Sequence, residues 1–174
     1  GERLLTVVKV GVKERQDPGA EVRKAWLGLG FQALTKELAK SLGLEGKTGV
    51  RVTEIYPGGP AEAAGLRAGD VLLALDGESI PVSHVEEVES FSAMVRQCKI
   101  GAKAALARVR DGNQSSVEAT FGESPKLARE MKKYYDAAFD FTAREIAFLD
   151  RVRQNWGAAQ KGVYVESAAE GGWA

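Results

Sequence analysis

One stretch constrains the fold of this chain above all others. Between Pro57 and Ile80, five glycines and two prolines flank a single uninterrupted apolar run, Val71-Leu72-Leu73-Ala74-Leu75. Glycine adopts backbone conformations closed to other residues, and proline cannot donate to a β-ladder. Residues 57–70 are therefore read as a loop with one helical turn over Ala61–Ala64. Residues 71–80 are read as a strand, a tight turn at Asp76-Gly77 and a second short extended piece.

The other elements are read around that core. Residues 3–14 carry the alternation of a half-buried strand through Leu5, Val7, Val10 and Val12, ended by Asp17-Pro18-Gly19. Residues 26–34, "WLGLGFQAL", read as a short apolar strand punctuated by Gly28 and Gly30. Thr35 is placed to cap a helix over 35–42, with Leu38, Ala39 and Leu42 on one face and Gly43 as its stop. A strand follows over 49–56. Val85, Val88, Phe91 and Val95 set a helix over 84–98. Asp111-Gly112 joins two strands within 104–121 as a hairpin. Ser124-Pro125 opens a linker, and Leu127, Met131, Tyr134 and Tyr135 predict an amphipathic helix over 126–138.

Composition removes several classes of function. The chain has 174 residues, 24 basic and 24 acidic, so it lacks the basic excess of a nucleic-acid binder. No apolar run is long enough to span a membrane. One cysteine, Cys98, and one histidine, His84, make a zinc site improbable, and no metal or other cofactor is expected. The sequence starts at Gly1 rather than Met, which is read as a processed or excised piece.

The chain also matches itself. Residues 31–39, "FQALTKELA", resemble 139–147, "FDFTAREIA"; residues 49–61 resemble 162–174, with a five-residue insertion between the two matches. Residues 1–11 resemble 112–122. The expected organisation is the last strand of a preceding repeat plus a linker at 1–20, and a complete domain at 22–123. A linker helix at 124–138 and the first half of a following repeat at 139–174 complete it.

The segment "GGPAEAAGLRAGDVLLALDG", preceded by "WLGLGF" and followed by a helix and a hairpin, resembles the PDZ domains of HtrA/Deg-type bacterial serine proteases over about residues 25–122. The resemblance implies an α+β fold. It would be a five- or six-stranded, mostly antiparallel, partly open barrel capped by two helices. It also implies a non-catalytic, peptide-binding part of an envelope or periplasmic protease. The implied partners are peptides or unfolded protein segments and the protease domain of the parent chain.

The residues themselves suggest how such binding works. A glycine-flanked turn presents successive amides to an anion, and a peptide carboxylate is a natural occupant. Leu27, Gly28 and Leu29 are the candidate amides, with Arg23 and Lys24 adding charge. The peptide would then extend along the strand containing Gly30 and Phe31, adding to its edge. Its side chains would enter a groove walled by Phe91 and Val95, and two phenylalanines there predict a preference for small or medium last residues.

Plainer roles are expected elsewhere. Gly65, Gly69 and Asp70 shape a loop, His84 is solvated near a helix start, and Cys98 is a small buried side chain. The basic residues Lys126, Arg129, Lys132 and Lys133 are interrupted by Glu130 and Asp136, as on a solvated helix face. A trypsin-like triad is not expected, since His84 is the only histidine and no "GDSGG"-like loop occurs. The alternative reading is a scaffolding segment whose groove is filled by its own or a neighbouring chain. Residues 1–14 and 139–174 would then pair together or associate with another copy, because half-domains leave strand edges open.

Overall fold

The structure is a computed structural model, and it describes residues 22–157 and 159–168. The expected strand at 3–14 and its pairing partners therefore lie outside the described residues.

The expected apolar strand at 26–34 is two strands, β1 (Ala25–Trp26) and β2 (Leu29–Ala33). Gly28 separates them at φ +76, a left-handed conformation that no strand contains. Helix α1 (Lys36–Ser41) follows, and the Thr35 hydroxyl accepts from the Leu38 amide at its start. Gly43, at φ +68, ends it. Strand β3 (Val50–Ile55) pairs antiparallel with β2, from Leu29 opposite Ile55 to Ala33 opposite Val50.

The glycine-rich stretch contains the single turn α2 (Pro60–Ala63), then β4 (Val71–Leu75) and β5 (Glu78–Ser79). A 3-10 turn at Val85–Glu87 leads into α3 (Val88–Gln97). Strands β6 (Lys103–Arg110) and β7 (Asn113–Thr120) form the expected hairpin, and β8 (Gly122–Glu123) pairs with β1. Both two-residue turns, Asp76-Gly77 and Asp111-Gly112, have positive φ at each position. That conformation matches the twist of the flanking strands.

The strands run in the order β2-β3-β4-β6-β7, with β5 paired to β4. Since β2 and β7 end the order, the sheet curls around a core without closing. Val50, Val52, Leu72, Ile80, Val82 and Leu106 are fully buried there, with Phe91 of α3 laid across them. The architecture is the open, mostly antiparallel one expected.

The predicted helix over 126–138 is absent. A 3-10 turn (Ala128–Glu130) is followed by strand β9 (Lys133–Asp136). The amphipathic spacing was real, but Tyr134 and Tyr135 suit a strand, and β10 (Phe141–Glu145) offers them an edge. Tyr134 stands opposite Ala143 and Tyr135 opposite Thr142, so the ladder prevails over helical periodicity. Helix α4 (Phe148–Arg153) and strand β11 (Val163–Ala168) follow, and β11 pairs with β10.

The segment β10-α4-β11 repeats β2-α1-β3 in detail. Asp140 has positive φ where Gly28 has it, and Asn155 where Gly43 has it. Each strand pair has a register shift at the same place, between Gly30 and Phe31 and between Thr142 and Ala143. The Leu44 amide donates to the Ala39 carbonyl as the Trp156 amide donates to that of Arg151. In this correspondence Leu29 matches Phe141 and Val50 matches Val163, so one extra residue is needed rather than five.

Candidate functional site

The turn between β1 and β2 is assembled by its carbonyls. The Leu27 carbonyl accepts from the Ala61 amide at 2.7 Å, and the Gly28 carbonyl from the Tyr56 amide at 3.0 Å. Among the described residues, the amides of Leu27 and Gly28 donate to no backbone carbonyl. Since Gly28 directs its carbonyl at β3, strand alternation turns the Leu29 amide to the opposite side. That side is the outer edge of β2, and among the described residues no strand pairs with it.

Gly28 is required by space as well as by φ. A Cβ there would lie 3.1 Å from the Trp26 ring, 3.2 Å from Gly59 Cα and 3.2 Å from Pro60 Cδ. The turn is therefore clamped between β1 and the start of α2.

A groove of about 400 Å³ runs from this turn between β2 and α3, lined by Leu27, Gly28, Leu29, Phe31, Phe91 and Val95 among others. A second depression, reached by Phe31, Ala33, Leu38, Val85 and Val88, continues it toward the start of α3. The sequence-derived candidates other than Gly30 thus meet in one place, but in unequal roles. Phe91 and Val95 are 1% and 7% exposed, and Phe91 packs edge-to-face on Phe31 at 4.9 Å. They form a floor rooted in the core rather than a free wall. Gly30 lies on β2 with Thr53 and Glu54 close beside it, not at the groove.

Arg23 lines the groove but is engaged by acidic partners. Its guanidinium donates to Glu130 at 3.1 Å and lies 3.7 Å from Glu123. Arg23 holds the Glu130 carboxyl below the usual range. The pair anchors the linker after β8. Lys24 is exposed, and its backbone pairs with Ser124.

Sequence reasoning missed two features. Phe148 of α4 stands edge-on to Trp26 at 5.3 Å and to Tyr56 at 5.7 Å. It lines the groove together with Leu149. The only available signal was that both occupy the second copy of the internal repeat. The other feature, which lies away from the groove, is the clamp on Asp70. Arg110 donates to both its oxygens at 2.6 and 2.8 Å, and the Arg67 amide donates at 2.9 Å, the last as expected of a loop aspartate. Burial opposes ionisation of Asp70, but Arg110 and the Arg67 amide outweigh it and lower its pKa. His84 is exposed at the start of the 3-10 turn, its amide donating to Glu87 at 3.1 Å. Cys98 closes α3, half-buried, and burial pushes its thiol pKa up.

The comparisons agree with this geometry. The PDZ-domain family profile matches residues 51–98. A probable periplasmic serine endoprotease DegP-like of Pseudomonas fluorescens is 37% identical over 124 residues, 71% of this chain and 25% of that protein. Its namesake in Ectopseudomonas mendocina is 34% identical over the same share of each. The chain thus spans about a quarter of the length of the curated relatives it matches. Among solved structures, a variant of the HtrA-type protease AlgW with a decapeptide superposes with a TM-score of 0.55 at 33% identity. The match covers 62% of this chain and 31% of that one. Fold and profile together define a PDZ domain, a non-catalytic unit. It is homologous to the PDZ regions of HtrA/DegP-type serine proteases.

Proposed function

We propose that the domain over 22–123 binds the C-terminal or extended apolar segments of other polypeptides by strand addition to β2. The amides of Leu27, Gly28 and Leu29 receive the terminal carboxylate, and the peptide runs antiparallel to β2 along Gly30 and Phe31. Its side chains rest on Phe91 and Val95. One observation carries the reading. Among the described residues, the only strand of the main sheet bordering the apolar groove has an open outer edge, and it begins at a turn whose Leu27 and Gly28 amides donate to no backbone group. The decapeptide in the AlgW structure supports it, as does the identity with that protein. The segment serves as the regulatory part of a periplasmic or envelope serine endoprotease, passing peptide occupancy or substrate to a protease domain elsewhere in the parent. The relatives named as periplasmic endoproteases support that setting.

The second unit suits a different role. We read 139–174 as the first half of another PDZ-like repeat, and its β10 edge, the counterpart of the β2 edge left unpaired among the described residues, is already taken by β9. That arrangement favours a scaffolding role for this unit, its groove side filled by its own chain.

The test is a titration of the 174-residue chain with one apolar decapeptide bearing a free or an amidated C-terminus. The expected result is a Kd in the micromolar range with the free acid, weakened at least about tenfold by amidation through the loss of charge-assisted hydrogen bonds. Equal binding of the two forms refutes carboxylate recognition.

A further inference from the structure

The groove is built by two parts of the chain. Its floor and one side come from the PDZ domain, but its far end, beyond the turn at Gly28, is closed by α4 of the following unit. Phe148 meets the rings of Trp26 and Tyr56, which themselves stack at 6.0 Å on either side of that turn. Leu149 lines the same end.

The helix that carries this end wall is braced within its own unit. Asp150, 6% exposed, accepts from both terminal guanidinium nitrogens of Arg144, one at 3.0 Å, and from the Ala147 amide at 2.8 Å. Arg144 is 5% exposed and belongs to β10. The first turn of α4 is thereby tied to its own sheet by a buried, two-pronged ion pair. Phe148 and Leu149 occupy the first two positions of that turn, so their backbone is fixed relative to β10.

We propose that Phe148 and Leu149 are specificity-determining residues for the last side chain of the bound peptide. The inference rests on the peptide-binding reading above. A groove of about 400 Å³ is larger than a small terminal side chain fills. A small last residue touches only the floor made by Phe91 and Val95. A long or aromatic one extends past the Gly28 turn to reach Phe148 and Leu149, and gains their apolar contact. The last residue is therefore read by both units at once. The large terminal residues that Phe31 and Phe91 seemed to exclude become the favoured ones.

The test uses the whole 174-residue chain and three decapeptides that differ only in a C-terminal Ala, Val or Phe. The parent is expected to bind the Phe-ended peptide most tightly. In Phe148→Ala, binding of that peptide weakens about tenfold, while the Ala-ended peptide shifts less than about threefold. Leu149→Ala gives a smaller loss in the same order and leaves the Trp26–Tyr56–Phe148 ring cluster intact, so it answers even if Phe148→Ala disturbs folding. If the parent binds these peptides but both variants keep its order of preference, the wall reads nothing and the proposal fails alone. If the parent binds none of the three, the peptide-binding reading falls, and the proposal with it.

Discussion

Gly28→Ala tests the central turn most directly. Gly28 lies at φ +76, where an L-residue is strained by about 1–2 kcal/mol. The stiffer unfolded chain of alanine returns about 0.4–1 kcal/mol. Three neighbours at 3.1–3.2 Å from the new Cβ add overpacking of roughly 1 kcal/mol or more. The net is a loss of about 2 kcal/mol, or a Tm lower by roughly 4–8 °C for a chain of this size. Gly65→Ala is the internal control. Gly65 sits at φ +73, but a Cβ there meets nothing within 4 Å. It should lose only about 0.5–1 kcal/mol. Urea unfolding of both variants separates crowding from backbone strain. Peptide titration should then show Gly28→Ala weakened at least about tenfold, because the shifted turn misaims its amides, and Gly65→Ala unchanged. If the two variants match in stability and in binding, the turn is neither crowded nor the carboxylate site, and the reasoning is wrong.

Two further predictions concern the buried carboxylates. The Asp70 pKa is lowered in the folded state, so the clamp stabilises above the ordinary value near 3.8 and is lost as pH falls through the lower folded pKa. Urea unfolding of the parent should therefore lose stability below about pH 4, and Asp70→Asn, destabilised by about 2–3 kcal/mol at pH 7, should show a weaker acid dependence. Asp150 is also shifted down, first by Arg144, so its contribution has the same sign and is lost in the same acid range. Asp150→Ala strands a buried Arg144 and should cost about 3 kcal/mol or more in the second unit. Limited proteolysis should then cut first within 139–168, while the PDZ domain stays resistant; cleavage in the PDZ domain first would contradict this.

Much of the PDZ domain could be read from local chemistry. Thr35 caps α1, Asp76-Gly77 and Asp111-Gly112 make the two tight turns, and Phe91 with Val95 marks the buried face of α3. Each depends on residues within a few positions of one another, where propensity and periodicity act. The failure at 126–138 has the opposite character. Helical spacing and strand pairing were both available to Tyr134 and Tyr135, and the choice rested on β10, whose edge no local pattern reveals. The site divides in the same way. The glycine-marked turn at Gly28 was legible, whereas the edge-to-face packing of Phe91 on Phe31, the diversion of Arg23 to Glu130 and the bidentate Arg110 clamp on Asp70 were not. Those contacts join residues far apart in the chain.

Local order along the polypeptide, then, decided most strands of the PDZ domain, where the backbone reversed and which face of α3 turned inward, because those outcomes depend on neighbours one to four residues away. Tertiary structure alone decided that, among the described residues, the outer edge of β2 is open while that of β10 is covered, and that Phe148 stands at the end of a groove whose turn lies more than a hundred residues earlier. Edge occupancy and a shared wall are properties of how finished elements meet, and the free energy of that meeting comes from surfaces that exist only after the chain has folded.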